Sequence, residues 1–319
     1  MDSLLQDFPK TLTDFERRFP TEEACREFLF RVRWPEGFRC PSCEGSKAWT
    51  NTRDMLVCAK CGKHASLTSG TVFHRTRKPL REWFRAMWWV CTQKTGGSAK
   101  GLQRLLGLGS YETAWTWLHK LRTAMIRADR ERLAGRVEVD DAFIGGEESK
   151  VSGRLSFKKA AIVLAVELPE AVPAHREKQP LGRVRIMHVP DFSAASLLPF
   201  ICENVEPGSE IITDDWSGYA RLGMAGYRHR PLCANPLPHA HLVISLLKRW
   251  LLGTHHGAVR AKQLQFYLEE YTFRFNRRKS THVGKLFLRM AQGTVTAKPL
   301  PYATIVARPD RPEYVPYNL

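Results

Sequence analysis

The sequence predicts an α/β protein, a mixed sheet with flanking helices, preceded by a four-cysteine ribbon and a short helical region. Three observations carry this expectation. Arg136–Gly145 (RVEVDDAFIG), Lys159–Leu168 (KAAIVLAVEL) and Gly182–Val189 (GRVRIMHV) are β-branched and either alternate or run continuously apolar, as strands do. Helical spacing follows at Ser193–Val205, Ala240–Trp250 and Ala261–Phe275, with a fourth strand, Glu210–Asp215, between the first two. Strands interleaved with helices describe a mixed α/β sheet. Ahead of them, two CxxC pairs stand at a spacing that suits one metal-held ribbon.

Residues 1 to about 35 read as helices, with Thr21 as an N-cap followed by Glu22 and Glu23, and they would brace the ribbon. The pairs are Cys40/Cys43 and Cys58/Cys61, separated by 14 residues. That spacing predicts one tetrahedral Zn²⁺ with four thiolates, and Gly62 suits the tight turn of the second knuckle. The segment AWTNTRDMLV between them alternates like a hairpin with its turn near Thr52–Asp54. Pro79–Gln93 carries apolar residues at helical spacing and reads as a core helix. From Ser98, one short amphipathic helix with Leu102, Leu105 and Leu106 meets a glycine turn at Gly107–Gly109. Ser110 then caps a second helix with Ala114, Trp117, Leu118 and Leu121. This is the helix-turn-helix outline, which any helical hairpin can also produce. The expected organisation is 1–75 for helices and ribbon, 76–135 for the helical region, 136–280 for the α/β domain and 281–319 for a basic, Pro-rich tail.

The chain has 319 residues, 49 Lys and Arg against 32 Asp and Glu, and a formal charge of +17. Such an imbalance calls for a large anionic partner, with nucleic acid first and an anionic membrane second. Residues 1–135 hold 24 basic against 14 acidic side chains and residues 136–319 hold 25 against 18, so the N-terminal part is the denser cationic surface. The longest apolar run, Ala160–Val166, is far short of the roughly 20 residues a spanning helix needs. The first residues lack the features of a secretory signal, and the expected location is the cytoplasm.

Asp140 and Asp141 lie in a strand among Val137, Val139 and Phe143, where charge is costly without a cation, and Asp214 and Asp215 end the run Ile211–Thr213. Two strands that each deliver an acid to one region of a sheet can build a site for hard Mg²⁺. The plain alternative is that each pair ends its strand in solvent. Glu269 and Glu270, on a helical segment, could supply a further carboxylate, although such acids are commonly solvated or paired.

At these residues the sequence resembles a known family. VEVDDAFIGG, ITDDWSGY, SLLKRWLLGTHHG and YLEEYTFRFNRR, together with the cysteine knuckles and TSGTVFHRTRKPLREWFRAMW, resemble the ISXO-type bacterial insertion-sequence transposases. The likeness spans about residues 20–280 and implies a ribonuclease-H-like catalytic domain. It implies an acid triad whose first member falls on Asp140 and second on Asp214. The third, seven residues before Lys248, falls on His241, where the three-acid pattern has a carboxylate; imidazole suits Mn²⁺ somewhat better than Mg²⁺. The implied function is metal-dependent cleavage and strand transfer on double-stranded DNA, with two Mg²⁺ or Mn²⁺ ions and a homo-oligomer that holds two element ends together.

Phosphate contacts are expected from Lys100, Arg104, Lys120 and Arg122 in the helical pair, and from Lys248, Arg249, Arg274, Arg277 and Arg278. A solvated basic face is the alternative for these residues. The competing functional class is a non-catalytic zinc-ribbon and helix-turn-helix regulator, or an inactive transposase remnant; a ribonuclease on the same scaffold is a third.

Overall fold

A computed structural model describes residues 8–126, 130–146, 154, 156, 158–169, 181–233 and 237–308. The chain divides into two compact units, residues 1–127 with 280–305, and residues 128–279 with 306–319.

The first unit opens with α1 (Leu12–Arg18), where Thr11 and Asp14 bond reciprocally to each other's backbone as a capping box, and α2 (Glu22–Arg33), capped by Thr21. The antiparallel ribbon follows, β1 (Ala48–Thr50), β2 (Leu56–Cys58) and β3 (His64–Ala65). Helix α2 does brace it. Arg33 donates to the carbonyls of Ser66, Leu67 and Ser69, and Phe30 and Trp34 pack on a cluster of Phe38, Cys40, Cys58 and Ala65. Then come α3 (Leu80–Thr92), α4 (Ala99–Leu106) and α5 (Tyr111–Thr123). Ser98 and Ser110 cap α4 and α5, and Gly107 takes the left-handed conformation (φ 60°) that ends α4 and turns the chain between them.

The second unit contains, among its described residues, a five-stranded mixed sheet. Its elements are β4 (Arg136–Ile144), β5 (Ala160–Leu168), β6 (Val184–Val189), α6 (Ala194–Asn204), β7 (Glu210–Thr213), β8 (Arg228–Pro231), α7 (Pro238–His255) and α8 (Ala261–Asn276). The strand order is β6-β5-β4-β7-β8, with β4, β5 and β6 antiparallel in sequence and β7 and β8 parallel to β4. One face packs Val137, Val139, Val163 and Ala165 against Leu197, Phe200 and Ile201 of α6, and the other packs Ile162, Leu164 and Val166 against residues of α7 and α8. Burial on both faces explains why β5 reads as an unbroken apolar run. The β6 edge is covered by α8, whose Gln265 and Asn276 side chains take up the backbone N–H groups of His188 and Val184.

Sequence and structure differ at three places. β8, Arg-His-Arg-Pro, lacks the β-branched signal and was not expected; it pairs with β7 as a short basic edge. The first unit is one body where two segments were expected. The third difference is in the tail, which contributes α9 (Val283–Thr296) and α10 (Tyr302–Val306), and residues 280–305 belong to the first unit. Phe287 of α9 is 1% exposed and its ring lies 5.5 Å from those of Phe15, Phe19 and Phe84, and 5.9 Å from Phe28. Helix α9 also reaches the end of α5 so closely that a Cβ at Gly293 would sit 1.7 Å from the Ala124 carbonyl oxygen, a space only glycine fits.

Truncating a large buried ring typically costs about 3–5 kcal/mol. Phe287→Ala should therefore lower the unfolding free energy of the first unit, read from urea titration, by that order, with amide protection in α3 lost before that of the sheet.

Candidate metal centres of the ribbon and the sheet

The four cysteines predicted from spacing converge at the ribbon. Their sulfurs all lie within 4.8 Å of one another, with Cys40 to Cys61 at 3.7 Å and Cys43 to Cys58 at 3.6 Å. A tetrahedron with Zn–S bonds of about 2.3 Å has S···S edges of about 3.8 Å, so the donor set fits zinc. Amide groups aid the thiolates. Those of Ser42 and Cys43 point at the Cys40 sulfur and lower its pKa, and those of Cys61 and Lys60 hold the Cys58 thiol down to about 6. Four protein sulfurs leave no open coordination position, so this centre is structural.

The second candidate centre lies on the sheet. Alternation along β4 sends Glu138 and Asp140 to the α7 face and Asp141 to the other. Asp140 is 7% exposed, and its Oδ2 lies 3.3 Å from Nε2 of His241 in the first turn of α7. Burial pushes the Asp140 carboxyl up to about 6, and Asp141 and Asp214 add to the rise, opposed by the Asp141 amide and by His241. Asp214 directly follows β7, which pairs in parallel with β4, so the register carries it to the level of Asp140. Its Oδ1 accepts from the Trp216 backbone, and its Oδ2 accepts from Arg154.

Arg154 spans two of the acids. Its guanidinium bonds both oxygens of Asp141 at 2.8 and 3.1 Å as well as Asp214, and it stacks 4.6 Å over the Trp216 ring. Asp141 also accepts from the Tyr219 hydroxyl at 3.0 Å, and the buried Tyr219 phenol is pushed well above its ordinary range, first by burial and then by that carboxylate. Sequence reasoning missed both Arg154 and Tyr219. The ITDDWSGY stretch held the signal for Tyr219, whereas Arg154 follows no pattern. Asp140 and His241 are thus in contact and Asp214 stands on the neighbouring strand. Their ligand atoms do not all fall within 4.8 Å of one another; among the described residues only the cysteines do. Carboxylates on two adjacent strands with an imidazole against one of them nevertheless suit a divalent cation, which would offset the burial and, to a lesser degree, the neighbouring charges that raise Asp140.

The remaining expected site residues separate into two groups. Lys100, Arg104, Lys248 and Arg249 are exposed, and Lys248 shares with His241 and Ser245 one exposed stripe of α7. Lys120 is half-buried with its ammonium 6.0 Å over the Trp83 ring. Arg122 is buried in the first unit at 2% exposure, a correction to its expected phosphate contact. Arg274 pairs at 2.8 Å with the buried Glu270 one turn away. Arg277 donates to the Phe273 carbonyl and stacks on that ring, and Arg278 donates to the carbonyls of Leu181, Gly182 and Phe275. These three arginines hold α8 and its neighbours together. Glu270, taken up by Arg274, and Glu269, buried and raised to about 7 by desolvation, do not join the Asp140 site.

A mixed sheet of order 3-2-1-4-5 with acids on its first and fourth strands, joined to a four-cysteine ribbon, is the architecture of a ribonuclease-H-like transposase. Residues 132–276 match the family described as ISXO2-like transposase domain, and residues 20–64 match the transposase zinc-ribbon domain, together well over half of the chain. The chain belongs to the ISXO2-like transposases. It is 27% identical over 132 residues to an uncharacterized protein in transposable element ISH50 of Halobacterium salinarum, a match covering 40% of this chain and 44% of that relative. The chain therefore spans less than half the length of the relative it matches. No helix among the described residues is long and apolar enough to cross a membrane.

One zinc per chain is expected by elemental analysis of protein purified without chelator. Cys58→Ser should lose it and, with it, the protease resistance of residues 38–65, because small ribbons fold with their metal.

Proposed function

We propose that this protein binds the ends of its own insertion sequence and performs DNA strand cleavage and strand transfer in its second unit, with two Mg²⁺ or Mn²⁺ ions held by Asp140, Asp214 and His241. The observation that carries the reading is the contact of His241 with Asp140 on a strand whose parallel neighbour is followed directly by Asp214. Bound divalent cations supply Lewis-acid polarisation of the scissile phosphate and screening of the leaving oxygen. The protein's own side chains supply the rest. Asp140 and Asp214 present oxygen donors from two adjacent strands, and His241 adds a nitrogen donor from α7. Lys248 and Arg249, exposed further along α7, meet the DNA backbone as cations. The helical pair of the first unit, with exposed Lys100 and Arg104, is the proposed reader of the element end, and two copies of the chain hold two ends.

One observation favours the competing reading of a non-catalytic DNA-binding protein. Arg154 spans Asp141 and Asp214 and neutralises them with the protein's own charge, an arrangement an inactive remnant could keep.

Cleavage of terminal-repeat duplex decides between the two. Asp140→Asn and Asp214→Asn should abolish cleavage in the full chain while end binding stays within about twofold; retained cleavage in Asp140→Asn removes the enzyme reading. His241→Ala should cut activity severely, and His241→Glu should keep part of it with preference moved from Mn²⁺ towards Mg²⁺, measured as rates in each metal. The joint change Lys100→Ala with Arg104→Ala, made on the Asp140→Asn chain, should weaken end binding and make its salt dependence shallower by up to about two in slope, read from binding isotherms at several salt concentrations.

A further inference from the structure

Strand β4 sends two acids to the α7 face, and only one of them belongs to the proposed metal centre. The other is Glu138, two residues before Asp140 and 4% exposed. Its Oε2 accepts the backbone N–H of His239 at 3.0 Å and of Ala240 at 2.8 Å, and its Oε1 lies 2.7 Å from Nδ1 of His239. Helix α7 needs this partner. Its first residue is Pro238, which has no N–H, and its N-cap, Leu237, has no side-chain oxygen to offer. The next two amides would face a buried surface unmatched, since Leu237 is 2% and Ala240 0% exposed. Glu138 does from the sheet what a Ser or Asp does at the start of an ordinary helix, and a carboxylate there also suits the positive end of the helix dipole.

We infer that Glu138 is a positioning residue of the catalytic centre: by capping α7 from β4 and orienting His239, it sets where His241 meets Asp140. The inference rests on the proposed metal site of Asp140, Asp214 and His241. Strand and helix are joined by two acid–histidine pairs, Glu138 with His239 and Asp140 with His241, each pair two residues from the other on both elements. With the first made, the second follows over a short, stiff span. Without it, α7 is held to the sheet chiefly by the apolar contacts of Val243, Ile244 and Leu247. Such contacts resist separation, but being non-directional they do little to oppose a slide or rotation of the helix. The three hydrogen bonds of Glu138 are directional and fix both.

The test compares the full-length chain with Glu138→Ala and Glu138→Gln. Glutamine is the conservative variant, because its one carbonyl oxygen can replace Oε2, the atom that accepts both amides. Amide hydrogen exchange and urea unfolding are measured without metal, followed by Mn²⁺ binding isotherms, end binding and cleavage of terminal-repeat duplex. In Glu138→Ala the amides of His239 and Ala240 should exchange at least about tenfold faster while those of Leu247–Leu251 do not change. Its Mn²⁺ affinity and cleavage rate should fall about 10- to 100-fold with end binding intact, and Glu138→Gln should stay within about fivefold of the natural chain in every measurement.

Unchanged exchange and cleavage in Glu138→Ala would overturn the inference. So would a uniform rise in exchange across the second unit in both variants, which would make Glu138 a residue of general stability. Failure of the underlying reading looks different: a natural chain that binds no Mn²⁺, or that cleaves as Asp140→Asn, removes the metal centre and this role with it, even where the exchange data show the cap.

Discussion

Three carboxyl side chains within four consecutive positions of a strand buried on both faces must each find a partner, and the second unit is arranged around where those partners come from. Glu138 is answered by the start of α7, Asp140 by His241, and Asp141 by Tyr219 and Arg154. Each answer ties a later piece of chain to β4. An unpartnered buried carboxylate costs more than most core contacts contribute, so these ties are selective about geometry in a way that the apolar packing around them is not. The pleat then divides the labour. Glu138 and Asp140 face α7, while Asp141 faces the turn after β7, and Arg154 links Asp141 to Asp214 at the start of that turn.

The first unit meets a different constraint. Its ribbon is too small to build much of a core, and its cysteines gather where a metal can hold them. The helices beside it depend on ring packing instead: Phe15, Phe19, Phe28, Phe84 and Phe287 meet edge to face or tilted, at separations where such rings attract. One unit thus combines a metal-held part with an aromatic-held part, and α2 belongs to both, with Phe28 in the ring cluster and Arg33 on the ribbon.

Much of this was legible in the sequence because the signals were local. The ribbon followed from cysteine spacing, β4 to β6 from residue type, and α4 and α5 from serine caps and a glycine turn. Asp140, Asp214 and His241 were marked by resemblance more than by pattern, and the structure supplies the contact of the first with the third. What stayed hidden depends on distance along the chain. Glu138 reads as one more acid in a strand until α7, a hundred residues later, arrives against it. Arg122, Arg274, Arg277 and Arg278 read as phosphate contacts because a sequence shows charge without showing its surroundings: Arg122 is buried, and the other three bond a carboxylate or carbonyls of their own unit. Helix α9 was missed although Val283, Leu286, Phe287, Met290 and Ala291 keep helical spacing; the prolines and basic residues around it masked the period.

The return of residues 280–305 to the first unit sets an order of events during synthesis. The ribbon and helices α1 to α5 leave the ribosome first, yet their core waits for Phe287 and for Gly293 to close over Ala124, and both are translated after all five strands of the sheet and helices α6 to α8. A nascent chain that stalls or is cut within the sheet domain has an N-terminal unit with an open aromatic cluster. Only a chain translated through α9 can close that unit, so a fragment ending within the sheet domain would be a poor competitor for whatever the finished unit recognises.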